Sequence, residues 1–119
     1  MIRPIKLGEL IKQLSTCNPD AQVRFDFGDL RPTILRSYRG YYDQLALDWD
    51  AETVTTVADL LEECRQAVRK VYEGYKGGEF EMDESTPVWV SRYGRASGTA
   101  IKGVKDFEHY VVITTRYIE

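Results

Sequence analysis

At 119 residues, 43% hydrophobic and 29% charged, the chain has the size and composition of one globular domain, and it is too rich in aliphatic and aromatic residues to stay disordered. Its formal net charge of −3 lacks the cationic field that a nucleic-acid-coating protein needs, so no general nucleic-acid binding is expected. No apolar run approaches the ~18 residues of a membrane span, and Met1 to Leu14 has no signal-peptide core, so the expected place is the cytoplasm, with no membrane partner.

Leu7, Leu10, Ile11 and Leu14 recur at helical spacing and predict an amphipathic helix over 6–15, ended by Asn18-Pro19-Asp20. Val23, Phe25 and Phe27 then alternate with Gln22, Arg24 and Asp26, the period of a half-buried strand, before Gly28-Asp29 turns the chain. Strands are predicted over 33–38 and 43–49, joined as a hairpin through Tyr38-Arg39-Gly40-Tyr41. Thr56-Val57-Ala58-Asp59 reads as an N-cap with an acid at the third helical position. The apolar face Leu60, Leu61, Cys64, Ala67, Val68, Val71 and Tyr72 predicts a long helix from there, with Gly74 as its C′ residue. Strand candidates follow at 79–82, 88–90, 99–104 and 110–113, and Pro87 opens one of them, where its missing N–H is tolerated.

The expected architecture is a single α+β domain over 1–119, with two short-to-medium helices on a mainly antiparallel sheet. Each half places a helix motif (Leu7-Gly8-Glu9-Leu10-Ile11 or Val57-Ala58-Asp59-Leu60-Leu61) before a strand, a glycine turn at Gly28 or Gly94, and two more strands. A degenerate α-β-β-β duplication therefore stands beside convergent patterning. The apolar strand Tyr110-Val111-Val112-Ile113 reads as an edge in need of cover, which predicts a homo-oligomer.

Charge is unevenly spread. Residues 40 to 64 hold seven acids (Asp43, Asp48, Asp50, Glu52, Asp59, Glu62, Glu63) and no Lys or Arg, whereas basic residues gather at Arg31/Arg36/Arg39, Arg65/Arg69/Lys70/Lys76 and Arg92/Arg95/Lys102/Lys105. Cys17 and Cys64 sit far apart near helical patterns and read as reduced thiols. With no Cys-x-x-Cys and a single His, no metal is expected. His109 reads as structural or exposed, Glu62-Glu63 as helix surface and Asp83-Glu84 as a turn. No nucleophile elbow is present, so no catalytic residue and no cofactor are assigned.

Gly74-Tyr75-Lys76-Gly77-Gly78 lacks the Gly-Lys-Ser/Thr ending of a phosphate loop. A plain turn and a small anion nest at Gly77-Gly78 remain equal readings. The strongest binding signal is Arg36-Ser37-Tyr38-Arg39-Gly40-Tyr41-Tyr42, because guanidinium forks hold phosphate while phenol rings stack on a base. A second Arg/Tyr/Gly loop spans Arg92-Tyr93-Gly94-Arg95-Ala96-Ser97-Gly98-Thr99, where small residues admit close approach. The candidate ligand-binding set is Arg36, Tyr38, Arg39, Tyr41, Tyr42, Lys76, Phe80, Arg92, Tyr93 and Arg95, directed at a small anionic nucleotide-like ligand. Arg36, Tyr38 and Arg39 are expected at an exposed hairpin tip. The competing reading makes Tyr38 a cross-strand core partner.

The segments Val23-Arg24-Phe25-Asp26-Phe27-Gly28, Ser37-Tyr38-Arg39-Gly40-Tyr41-Tyr42, Leu45-Ala46-Leu47, Gly74-Tyr75-Lys76-Gly77-Gly78, Met82-Asp83-Glu84, Thr86-Pro87-Val88-Trp89-Val90 and Ser97-Gly98-Thr99-Ala100-Ile101 together resemble a family of small bacteriophage proteins. The likeness spans most of the chain, and that family is similar to the phage Thoeris anti-defence sponges. The resemblance implies a non-catalytic oligomer in the host cytoplasm that sequesters a cyclic ADP-ribose-type or cyclic oligonucleotide immune signal. Arg92 departs from the Asn that the resemblance leads to, so that loop's role is not carried over. A protein-binding inhibitor of a host factor, which the acidic stretch favours, and a small nucleotide-processing enzyme are the other classes left open.

Overall fold

Leu7, Leu10 and Leu14 fall on one face of helix α1 (Leu7–Ser15) and are fully buried, as their spacing predicts. The computed structural model describes residues 3–38, 41–73, 77–92 and 95–117, without the side chains of residues 41, 92 and 95–97. After α1 come strands β1 (Gln22–Phe25), β2 (Arg31–Tyr38) and β3 (Tyr41–Asp50), then helix α2 (Val57–Ala67). The rest is strand: β4 (Val71–Glu73), β5 (Glu79–Glu81), β6 (Val88–Arg92), β7 (Arg95–Asp106) and β8 (Tyr110–Tyr117). The α+β class predicted from the pattern is the one observed.

Helix α2 starts with a full capping box. Asp59 donates its N–H to the Thr56 hydroxyl, and the Asp59 carboxylate accepts the Thr56 N–H, each at 3.2 Å. The helix ends well short of the predicted Gly74, which lies outside the described residues. Arg69 adopts a left-handed φ of 66° and donates its N–H to Met82 O at 2.6 Å, and Val71–Glu73 departs as a strand paired with β5. Val71 and Tyr72 fit a helical apolar face, but β-branched and aromatic side chains suit a strand better, and Tyr72 reaches the core from the β4–β5 hairpin.

The main sheet runs β1-β8-β7-β6-β3-β2, antiparallel except for the parallel pairs β1–β8 and β3–β6. It curls until its ends nearly meet. Phe25 N–H donates to Leu30 O at 2.9 Å, and Thr55 bridges the same seam by accepting the Val23 N–H at 2.8 Å and giving its hydroxyl to Pro32 O at 2.6 Å. Strand β8 is therefore no edge. It is hydrogen-bonded on both sides, to β1 and β7, which removes the reason for placing an oligomer contact there.

The two halves match in most of their pairings, except that β6 and β7 are paired while their counterparts β1 and β2 form the open seam. Val88 N–H donates to Ile5 O at 3.0 Å, as Val23 N–H does to Thr55 O at 2.8 Å; Leu7 N–H donates to Thr86 O at 2.8 Å, as Val57 N–H does to Ala21 O at 2.9 Å. The parallel pairs Leu45/Val88, Ala46/Trp89 and Leu47/Val90 are mirrored by Val111/Val23, Val112/Arg24 and Ile113/Phe25. The hairpin pairs Pro32/Trp49, Leu35/Leu47 and Arg36/Ala46 are mirrored by Ile101/Thr115, Val104/Ile113 and Lys105/Val112, with a register shift at the same place in both. Even the plug of that shift recurs. Glu63 Oε1 accepts the Leu35 N–H at 3.1 Å, and Gln13 Oε1 accepts the Val104 N–H at 2.9 Å. This is the pattern of a duplicated α-β-β-β unit in which each unit's first strand lies parallel to the other's third, with the β4–β5 hairpin inserted in the second unit.

Candidate functional site

Alternation in the strands sends Leu45, Leu47, Val88, Val90 and Ile101 into the core, all of them buried, and turns the residues between them to the outer face. Across that face the register lines up Arg36, Ala46, Trp89, Ala100 and Arg116 in one row over five strands. Strands lie about 4.8 Å apart, so each arginine backbone stands roughly 10 Å from that of Trp89. Trp89 is half-buried between two alanines, while Arg36 has a side-chain exposure of 54% and Arg116 is exposed.

Trp89 is held on two sides. Its ring lies parallel to that of Tyr38, with centroids 5.1 Å apart and planes 5° apart, and its indole N–H donates to the Gln44 amide oxygen. The Tyr38 hydroxyl in turn accepts the Gly98 N–H at 2.7 Å. Gly98 has a φ of 72°, a conformation an L side chain adopts only under strain, and that turn of the backbone aims its N–H at the phenol. The result is a fixed aromatic platform with a cation at each end of its row.

The predicted site residues divide. Tyr38 is only 1% exposed, so it stands inside the structure and not at an exposed tip; the tip residues Arg39 and Gly40 lie outside the described residues. Arg36 forms an ion pair with Asp48 on the neighbouring strand. Tyr42 and Phe80 make a separate pair, 5.8 Å between centroids, that ties β3 to the β4–β5 hairpin. Arg92 and Arg95 face each other as the β6–β7 pair, so Arg95 to Thr99 continues as strand where a long loop was expected. The side chains of Tyr41, Arg92 and Arg95 are not described, and Lys76, Tyr93 and Gly94 lie outside the described residues.

Trp89, Gln44 and Arg116 complete the row and its support, and the sequence reading passed over them. A signal was present: in Val88-Trp89-Val90 the alternation puts a large aromatic on the face opposite the core, and in Leu45-Ala46-Leu47 it puts a small residue beside it.

Beyond Arg36 the surface dips into an open cleft of about 450 Å³ lined by Thr33, Ile34, Asp48, Asp50, Val54 and Asp59, among others. Thr53 gives Asp50 a hydroxyl hydrogen bond of 2.6 Å and an N–H bond of 2.7 Å, and these hold the carboxyl below its usual range. Asp83 is lowered in the same way by Ser85, inside the predicted turn. Glu63, expected on the helix surface, is half-buried and bonded to Leu35.

Cys17 and Cys64 are free and buried. Burial pushes the Cys64 thiol up to about 12 and raises that of Cys17, so both remain protonated near neutrality. Tyr72, buried with no hydrogen-bond partner for its hydroxyl among the described residues, is pushed up to about 12 by burial and then by Glu63 and Cys64. His109 is exposed in the β7–β8 turn. Among the described residues no helix is long and apolar enough to cross a membrane, and no group of three or more His, Cys, Asp or Glu is arranged to hold a metal ion. Compared with family models, with curated proteins and with solved structures, the chain matches none.

Proposed function

We propose that the protein is a non-enzymatic binding protein that sequesters a small nucleotide-like signal without altering it. The single observation that carries this reading is the outer-face row Arg36-Ala46-Trp89-Ala100-Arg116. An indole stacks on any base, and base–aromatic stacking contributes about 1–3 kcal/mol; a guanidinium on either side reaches the phosphates of a ligand bent back on itself. Ala46 and Ala100 are buried beside Trp89, at 2% and 0% exposure, so a ligand would meet the half-exposed indole itself, whose N–H Gln44 holds.

The resemblance to phage anti-defence sponges supplies the ligand class, a cyclic ADP-ribose-type or cyclic oligonucleotide signal, together with a host-cytoplasmic setting and homo-oligomeric assembly. The test is recovery of the ligand. Purified protein exposed to extract from bacteria with an activated cyclic-nucleotide defence, washed and heated, releases an intact cyclic nucleotide detected by mass spectrometry. Release of a linear or cleaved product would make the protein an enzyme, and release of nothing would end the reading.

A further inference from the structure

The match between the two units gives most surface positions of one unit a counterpart in the other, and some counterparts differ in charge. Pairings in register make Asp50 the counterpart of Arg116, because Arg31/Asp50 stands where Ala100/Arg116 stands. By the same register Thr33 corresponds to Lys102 and Arg36 to Lys105. On the helices Glu62 corresponds to Lys12, since Val57 and Leu7 make equivalent bonds to Ala21 and Thr86. Thr33, Arg36 and Asp50 line one cleft, so Lys102, Lys105 and Arg116 gather on one patch of the other unit, where all three are exposed.

The cleft lining holds Asp48, paired with Arg36, together with Asp50 and Asp59, with Arg31 acting on Asp50 from beside the lining, and its rim is apolar, with Ile34 47% and Val54 61% exposed. We propose that the acidic cleft takes the Lys102/Lys105 patch of a second copy of this chain, so that copies associate through unlike surfaces. The occupant follows from complementarity: the cleft needs a cationic surface with aliphatic stems to lie on Ile34 and Val54, and lysine stems on the counterpart patch of another copy supply both.

This gives the assembly part of the proposed function a surface, and it is read without ligand, so its failure leaves nucleotide binding untouched. Val54→Lys places a cation on the cleft rim, and Lys102→Glu with Lys105→Glu reverses the patch; none of these residues makes a cap or a turn bond among the described residues. The measurement is mass by sedimentation, with circular dichroism confirming the fold of each variant. The parent should assemble at low salt, and raising salt from about 50 to about 500 mM should weaken association tenfold or more, because the contact is between exposed charges. Each variant alone should be monomeric. Mixed, they should form a one-to-one complex, since the patch variant keeps an intact cleft and the cleft variant an intact patch. A parent that stays monomeric at low salt overturns the proposal. So does assembly that survives either variant, or a mixture that stays monomeric.

Discussion

The two α-β-β-β units share a hydrogen-bond scaffold and diverge in what they mount on it. At one equivalent crossing, unit one closes with the Trp49 indole N–H on Ser91 O, and unit two closes with the Thr115 N–H and hydroxyl on the Asp26 carboxylate at 2.8 and 2.6 Å. At another, Trp89 faces outward where the counterpart is Arg24, which lies 5.2 Å over the Tyr110 ring. Backbone pairing is therefore the property held in common. Side chains on the outer face are the property that varies, and those are the residues free to serve binding.

The largest effects should fall on what is held in common. Leu10 and Leu60 are fully buried at equivalent helix positions, so Leu10→Ala and Leu60→Ala should each cost about 2–5 kcal/mol, by denaturant unfolding, and by similar amounts. A cost confined to one of them would break the equivalence of the units. A smaller loss, about 1–2 kcal/mol each, is expected for Gln13→Ala and Glu63→Ala, because each strips a half-buried strand N–H at a bulge of its acceptor.

The smallest effect sharpens the comparison, because the units differ in their caps. Thr56 caps α2 through a capping box, whereas Lys6 occupies the same place before α1 and makes no side-chain cap, although Glu9 already stands at the third helical position. Thr56→Ala should lose about 1 kcal/mol and Lys6→Thr should gain about 0.5–1 kcal/mol in thermal unfolding.

Local periodicity made much of this legible. The leucines of α1, the Thr56 cap and the Leu45/Leu47 alternation led directly to their elements. The stretch Val68 to Tyr72 misled because its apolar spacing satisfies a helix, while the decision lay in the distant partner β5 and in Met82 receiving the Arg69 N–H. Strand β8 looked like an edge for the same reason: its partner β1 lies far away in sequence. Tyr38 was read from its Arg/Gly neighbours, and its burial depends on Trp89 and Gly98, both remote along the chain. The proposed binding row could not be read as a motif, because its five residues come from five strands and meet only through register.

That row is the central claim, and calorimetric titration of cyclic ADP-ribose and of a cyclic dinucleotide into the parent, Arg36→Ala and Arg116→Ala tests it most directly, with melting temperature measured on the same samples. Both arginines are exposed, so stability should change by no more than about 0.5 kcal/mol. Loss of a charge-assisted hydrogen bond costs about 1.5–3 kcal/mol, so affinity for the bound nucleotide should fall tenfold or more in each variant. Unchanged affinity in both variants, or no binding of either nucleotide by the parent, would contradict the account.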